Sequence, residues 1–239
     1  MLIVIGKKVL WTTAIVLLVA AALTALGFAL AAAYSPGIRK VIVIDAGHGG
    51  ADGGVTGVNT GVTEAEINLT VARLVANELN ALGYETVLTR NDEGEAGAVK
   101  ESEETALYNK REEMQRRRDV IAATRPLCVI SIHCNKFHSS SRRGAQVFYS
   151  AGSTEGKALA ATVQNALNKL NSEKTGRTYS ALGGDYYILN CTSYPAAIVE
   201  CGFLSNPEDE KLLTDDGYRL TLASAVARAV NEYISASLK

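Results

Sequence analysis

The chain has 239 residues and a net charge of −1, so it lacks the basic surplus of proteins that bind nucleic acid. About 205 residues follow an N-terminal segment of different character, which is enough for one large domain with a sizeable core. The four cysteines form no CxxC pair, which disfavours a zinc knuckle and predicts buried small side chains, with disulfides as the alternative. They are Cys128, Cys134, Cys191 and Cys201.

The first element is an apolar run, Val9 to Ala33, without a charged residue. A helix of this length extends roughly 37 Å, enough to cross a bilayer core of about 30 Å. Lys7 and Lys8 precede it, which places the amino end in the cytoplasm and the rest of the chain outside. The run predicts a transmembrane anchor, with a cleaved signal peptide or a buried core helix as alternatives. Pro36 and Gly37 then open a linker.

The remaining elements alternate between strands and helices. A β-branched run, "KVIVIDA", predicts a buried strand, and "TEAEINLTVARLVANELNALG" predicts an amphipathic helix that Thr63 caps with Glu66 as a capping box. The charged stretch Asn91 to Glu104 predicts a solvated loop. Further predicted strands are "YETVLTR", "LCVISIH", "GAQVFYS", "YYIL" and "AAIVECGFL", and further predicted helices are "ALYNKREEMQRRRDVIAAT", Thr154 to Leu170, "NPEDEKLL" and Tyr218 to Leu238.

This order predicts an α/β fold. We expect a mixed, mostly parallel twisted sheet of about six strands with helices on both faces, preceded by the N-terminal transmembrane helix. The predicted domains are residues 1–38, an anchor or signal segment with its linker, and residues 39–239, the main folded domain. Ligands in such sheets bind beyond the carboxyl ends of the strands.

Three predicted strands end in side chains that bind metals or transfer protons. His48 follows the first strand, His133 ends "CVISIH" and Glu200 follows "AAIV". Glu64 opens the helix after the first strand and can reach the same edge. Two histidines and a carboxylate are a typical catalytic zinc set that leaves one position for water.

Each of these residues also has a plainer interpretation. His48 lies in a glycine-rich turn, where a histidine is often only a hydrogen-bonding residue, and His133 is compatible with a buried core histidine. Glu64 complements the helix dipole at an N-terminus. Glu200 is harder to explain, because a carboxylate at the end of a buried strand is costly unless it is paired or functional. The segment "GHGGADGG" lacks the lysine and the spacing of phosphate-binding loops. His138, in a polar loop, is predicted to be exposed and not a ligand.

Four motifs occur together in one order, namely "IDAGHGGADGG", "GVTEAEINL", "SIHCN" and "AAIVECGFLSNPED". As a set they resemble the zinc-dependent N-acetylmuramoyl-L-alanine amidases of the amidase 3 family, over nearly all of Lys40 to Lys239. The family often has proline where Ala46 stands, a difference that changes turn stiffness and leaves the ligand positions intact.

The resemblance implies a role for each residue. It makes His48, Glu64 and His133 the ligands of Zn²⁺ and Glu200 the catalytic glutamate that takes a proton from water and passes it to the departing L-alanine nitrogen. Asp45 and Asn135 flank the ligands, and we expect them to orient these side chains.

The resemblance also implies the substrate, the amide between N-acetylmuramic acid and L-alanine in peptidoglycan. The compact, anchored form is similar to the spore-cortex type, which prepares muramic δ-lactam formation. We expect the catalytic domain on the outer side of the cell membrane, held there by the N-terminal helix, or secreted if that segment is cleaved. A protein activator is compatible with the sequence. The alternatives are a general autolysin, a zinc carboxypeptidase and a non-catalytic peptidoglycan-binding protein.

Overall fold

The computed structural model describes residues 6–33, 39–91 and 103–237. The chain divides into two units, Met1–Arg39 and Lys40–Lys239. Most of the linker around Pro36 and most of the charged stretch from Asn91 to Glu104 lie outside the described residues.

The described elements agree with most of the predicted ones. Their order is α1 (Lys7–Ala33), β1 (Val41–Ala46), α2 (Glu64–Ala81), β2 (Glu85–Leu88), α3 (Glu103–Thr124), β3 (Val129–Asn135), β4 (Gln146–Ser150), α4 (Thr154–Thr175), β5 (Leu182–Gly184), α5 (Tyr187–Asn190), β6 (Ala196–Phe203), α6 (Pro207–Leu213) and α7 (Asp216–Ser237).

Helix α1 forms over the apolar run, as predicted. Within the described ranges, however, no helix is both long enough and apolar enough to span a bilayer. The structure therefore does not support the predicted transmembrane helix.

The sheet of the second unit has the order β2-β1-β3-β6-β4-β5. Strands β2, β1, β3 and β6 run parallel to one another, whereas β4 pairs with β6 antiparallel and with β5 parallel. The prediction of a mixed, mostly parallel sheet of about six strands is thus confirmed. In β3 and β6 the register sets His133 beside Glu200, so two of the predicted site residues lie on adjacent strands.

Two hydrophobic cores cover the two faces of the sheet. Helices α2, α4 and α7 pack on one face, where Ile130, Ile132 and Cys134 of β3 point. Helices α3 and α5 pack on the other face, over a smaller core that includes Val43 and Ile198. Since side chains alternate along a strand, His133 and Glu200 point to the α3 side, and this smaller core leaves room for a site.

Two local predictions need correction. The segment "YYIL" was predicted as a strand, but Tyr187–Asn190 forms the short helix α5, and its Ile188 and Leu189 are buried in the smaller core. The short strand β5, Leu182–Gly184, was not among the predicted strands. A run of four apolar residues fits either structure, and here tertiary packing decides.

The prediction of buried cysteine side chains is confirmed for three of the four, and all four are free thiols. Cys128, Cys134 and Cys201 are fully buried, and Cys191 is half-buried. Burial raises the pKa of the Cys128 thiol to about 12, so that side chain stays neutral and behaves as a small hydrophobe.

Candidate active site

The turn after β1 brings His48 to the edge of the sheet. His48 adopts φ = 58°, a left-handed conformation that few residues other than glycine tolerate, and Gly49 and Gly50 continue the tight turn with positive φ. The carbonyl oxygens of this turn accept hydrogen bonds from buried or half-buried side chains. Arg117 donates to the carbonyls of Ala46 at 2.8 Å and His48 at 2.6 Å. These bonds hold the strained backbone in place.

Arg117 is itself fixed by carboxylates. Its Nη1 donates to Asp45 Oδ1 at 2.7 Å, and it also pairs with Glu113. Asp45 is buried and accepts further bonds from Thr89 at 2.7 Å and Ser131 at 2.5 Å. Burial raises the pKa of Asp45, but Arg117 and the two hydroxyls outweigh this and hold the pKa below its usual value.

Asp45 and Asn135 are the residues that we expected to orient the ligands. Within the described part of the chain, the hydrogen bonds of the Asp45 carboxylate go to side chains other than the ligands, and Asp45 anchors Arg117, which holds the backbone that carries His48. Asn135 lines the cavity, but its Oδ1 accepts from the neighbouring Lys136 N–H at 2.8 Å.

Glu64 is the first residue of α2, directly after the N-cap residue Thr63. Thr63 and Glu66 cap the helix as predicted. The buried Glu64 carboxylate accepts from the N–H of Val55 at 3.0 Å through Oε2 and from the N–H of Cys134 at 3.0 Å through Oε1. Because these donors come from two different segments, the carboxylate is fixed before any ligand binds.

His48, Glu64 and His133 come together in the structure. Glu64 Oε1 lies 3.2 Å from His48 Nε2 and 3.0 Å from His133 Nδ1. One ligand atom from each residue lies within 4.8 Å of the others. Two imidazoles and a carboxylate at these separations can hold a divalent metal ion.

Asp52 was not singled out from the sequence. Its Oδ2 lies 2.9 Å from His48 Nδ1 and 3.5 Å from Lys110 Nζ. A carboxylate behind a ligand histidine orients the ring and makes it more basic. Burial alone would lower the pKa of His48, but Asp52 and Glu64 together raise it to about 9. The only indication of this contact in the sequence is that Asp52 follows His48 by four residues in the same turn segment.

Glu200 faces the same space as the three candidate metal ligands. Its Oε2 is buried and has no hydrogen-bond partner among the described residues. Burial, the largest influence, and the charge of Glu64 raise the pKa of Glu200 to about 7, although His133 and His48 oppose the shift. A carboxyl group with this pKa can both accept and donate a proton near neutral pH.

His138 does not join the group. It is exposed and stacks on Phe137, with the ring centroids 4.1 Å apart. The prediction that His138 is exposed is confirmed.

The candidate metal ligands and Glu200 line a cavity of about 340 Å³ between α3, α5 and the sheet. Helix α3 contributes Lys110, Glu113 and Met114, and the α5 side contributes Tyr186 and Tyr187. The volume is within the range of small-molecule sites, and the candidate metal group lies on one wall.

The raised pKa of Glu200 makes the stability of the metal-free protein depend on pH. Between the ordinary pKa of 4.5 and the folded value of about 7, the folded state keeps a proton that the unfolded state releases. The free energy of unfolding therefore falls as the pH rises through this window. We expect metal-free Glu200→Gln to exceed the parent chain in stability by roughly 3 kcal/mol at pH 8 and to match it at pH 4. Denaturant unfolding at both pH values measures this, and an equal offset at both would contradict the raised pKa.

Gly47 gives the clearest steric constraint in the site. A Cβ atom at this position would lie 2.1 Å from His133 Cε1, so any side chain displaces that imidazole. Because a misplacement of about 1 Å in a site can cost roughly 100-fold, we expect Gly47→Ala to lower activity and metal affinity by about that factor. Gly152→Ala is the control, since nothing lies within 4 Å of its Cβ position. Equal effects of both substitutions would show that the loss is not local.

Comparison with known proteins places this arrangement in context. The sequence profile of the family described as N-acetylmuramoyl-L-alanine amidase matches residues 42–232. The germination-specific N-acetylmuramoyl-L-alanine amidase of Bacillus subtilis (strain 168) is 33% identical over 82% of this chain and 80% of that relative. AmiC of Neisseria meningitidis serogroup B is 30% identical over 84% of this chain, which spans only 54% of that relative. The CwlD amidase of Clostridioides difficile, solved in complex with the GerS lipoprotein, has a TM-score of 0.74 and 30% identity, covering 82% of this chain and 99% of that one.

Proposed function

The chain belongs to the N-acetylmuramoyl-L-alanine amidase family and is a peptidoglycan amide hydrolase, and we propose that it uses zinc on His48, Glu64 and His133 with Glu200 as the catalytic acid–base. The observation that carries the proposal is the convergence of these four side chains in one cavity. The bond cleaved joins N-acetylmuramic acid to the L-alanine of the stem peptide.

The donor set fits zinc. Two imidazole nitrogens and one carboxylate oxygen are a common catalytic zinc set, and the cavity beside them leaves room for water and substrate. When bound there, zinc would polarise the scissile carbonyl and lower the pKa of a water molecule. Glu200 Oε2, which finds no hydrogen-bond partner in the part of the chain that the structure describes, faces the same cavity, and this supports a role in proton transfer rather than in structure.

The side chains of this protein divide the remaining work. Glu200 takes the proton of the attacking water and gives it to the departing amide nitrogen, so it returns to its starting state after each cycle. The backbone N–H groups of Val55 and Cys134 hold Glu64, and Asp52 orients His48. The arginine network around Arg117 fixes the turn, so that the ligand geometry is set before substrate binds.

An assay of product ends tests the proposal. The purified full chain is incubated with purified peptidoglycan, and the new ends are identified. We expect free L-alanine amino termini. Released D-alanine would indicate a carboxypeptidase, and the absence of new ends would indicate a binding protein.

The biological setting we propose is the spore cortex, where the reaction would prepare muramic δ-lactam formation. The support is the 33% identity to a germination-specific amidase and the similarity to CwlD. Deleting the gene should remove δ-lactam from the cortex and leave cell separation unchanged. The reverse result would indicate a general autolysin.

The location of the substrate supports a catalytic domain that works outside the cytoplasm. Fractionation of cells that express the full chain would distinguish a retained from a released enzyme. Because CwlD was solved with the GerS lipoprotein, we also propose an accessory lipoprotein as a partner of this chain. Co-purification from the native host, followed by activity measurement with and without the partner, tests this.

A further inference from the structure

Tyr186 has an exposed aromatic ring beside the catalytic groups that none of the roles above uses. The residue lines the same cavity as Glu200 and is 39% exposed, although the segment that follows it is anchored in the smaller core through Ile188 and Leu189. Among the described residues, the Tyr186 hydroxyl has no hydrogen-bond partner. An exposed, unpaired tyrosine on the wall of an active-site cavity is available to a ligand.

The Tyr186 ring is held in one place. It packs edge to face against Phe148, with the ring centroids 5.5 Å apart at 66°. The Tyr186 ring also lies directly against Gly184, where a Cβ atom would be only 2.3 Å from Tyr186 Cε2. The Tyr186 carbonyl also accepts from the N–H groups of Leu189 and Asn190, both at 3.1 Å. A ring fixed in this way loses little conformational freedom when a ligand packs on it.

The charges around the cavity are unevenly distributed. Helix α3 places the exposed ammonium of Lys110 on one side of the cavity, 3.5 Å from Asp52, whereas the lining residues of the α5 side are uncharged. They are Tyr186, Tyr187 and Ile188. The two halves of the substrate differ in the same way, because the stem peptide carries carboxylates along its length and the sugar ring is neutral. An aromatic ring offers apolar contact to the C–H groups of a sugar, and its hydroxyl can bond a sugar oxygen.

Resting on the proposed amidase function, we infer that Tyr186 is the platform for the N-acetylmuramoyl ring of the substrate, and that the stem peptide lies toward α3. Tyr186 is then a substrate-binding residue that discriminates between a glycan-bound stem peptide and a free peptide. Its contact with the sugar is made equally in the bound substrate and in the transition state. Loss of such a contact raises KM and leaves kcat unchanged.

Product inhibition can locate the contact. The variants are Tyr186→Leu, which removes the ring, and Tyr186→Phe, which removes only the hydroxyl. The competitors are N-acetylmuramic acid, representing the sugar half, and the free stem peptide, representing the other half. Because leucine lacks the flat ring and the hydroxyl, we expect Tyr186→Leu to raise KM and the inhibition constant of N-acetylmuramic acid by roughly threefold to tenfold. The inhibition constant of the stem peptide and kcat should stay within twofold of the parent values, on the order of experimental error. Tyr186→Phe should keep most of the affinity for the sugar.

Two results would overturn the inference. One is weaker inhibition by the stem peptide with unchanged inhibition by the sugar, and the other is no change for either competitor. The proposed function fails separately, because then the parent chain itself would release no L-alanine amino termini. Thermal unfolding of both variants tests for a folding defect. If Tm falls only in Tyr186→Leu, the kinetics of Tyr186→Phe decide, and this variant must still bind N-acetylmuramic acid with most of the parent affinity.

Discussion

Glu200→Gln is expected to lower kcat by about 10²–10⁴-fold while the zinc content stays at the level of the parent chain. Glutamine has nearly the same shape but cannot take a proton from water. Because the pKa of Glu200 is about 7, the carboxyl group is partly neutral near pH 7, and the uncharged glutamine amide resembles that neutral form. Turnover on purified peptidoglycan and zinc per chain by mass spectrometry measure the two quantities.

The control is a second glutamate-to-glutamine change with no part in the chemistry. Glu66→Gln is suitable, since a capping box accepts either residue at this position. We expect its kcat to match that of the parent chain. Near-normal turnover of Glu200→Gln would contradict the acid–base role, and loss of zinc from that variant would mean that Glu200 is a ligand.

Much of the site was predictable from strand ends. His48, His133 and Glu200 each follow or end a buried β-branched run, and parallel strands deliver their carboxyl ends to one edge of a sheet. Glu64 was predictable because the capping box fixes where α2 begins. The convergence of His48, Glu64 and His133 within 4.8 Å agrees with this expectation.

The supporting arginine network was not predictable in the same way. Arg117 lies in the run "KREEMQRRRD", for which the sequence predicts a helix without showing which side chains are buried, and its side chain is 5% exposed. The neighbouring Arg118 has a side chain 41% exposed and pairs with Asp119. Which arginine of the run turns inward depends on the helix's rotation against the sheet, and only tertiary packing sets that rotation. The buried partner Asp45 was the available signal, because a buried carboxylate needs a cation.

The segment around α5 shows the other limit. A short apolar run between polar loops fits a strand, and Ile188 and Leu189 are buried as a strand would bury them. The structure forms a helical turn instead, which allows both residues to reach the smaller core while Tyr186 and Tyr187 line the cavity. The sequence analysis placed both tyrosines in a predicted strand and gave them no functional role. Their position beside Glu200 in the structure indicates a role in binding.

His48→Ala is expected to lose both zinc and activity, in contrast to Glu200→Gln. Removal of an outer residue that only supports a ligand costs about 10–100-fold in metal affinity, so loss of a ligand itself should cost more than roughly 100-fold. Two ligands, Glu64 and His133, would remain. Zinc affinity by competition with a chelator and turnover on peptidoglycan measure the change. Full zinc occupancy in His48→Ala would contradict the ligand assignment.

The backbone at His48 requires a second variant, because φ = 58° is unfavourable for alanine and the turn itself could rearrange. Asparagine tolerates this conformation better, so His48→Asn should keep the turn and the stability of the parent chain while still losing zinc. His138→Ala is the matched histidine control, since His138 is exposed and lies outside the metal group, and it should keep full zinc and activity. If His48→Asn loses zinc but Glu200→Gln keeps it, the two residues have separate roles, one holding the metal and the other moving the proton.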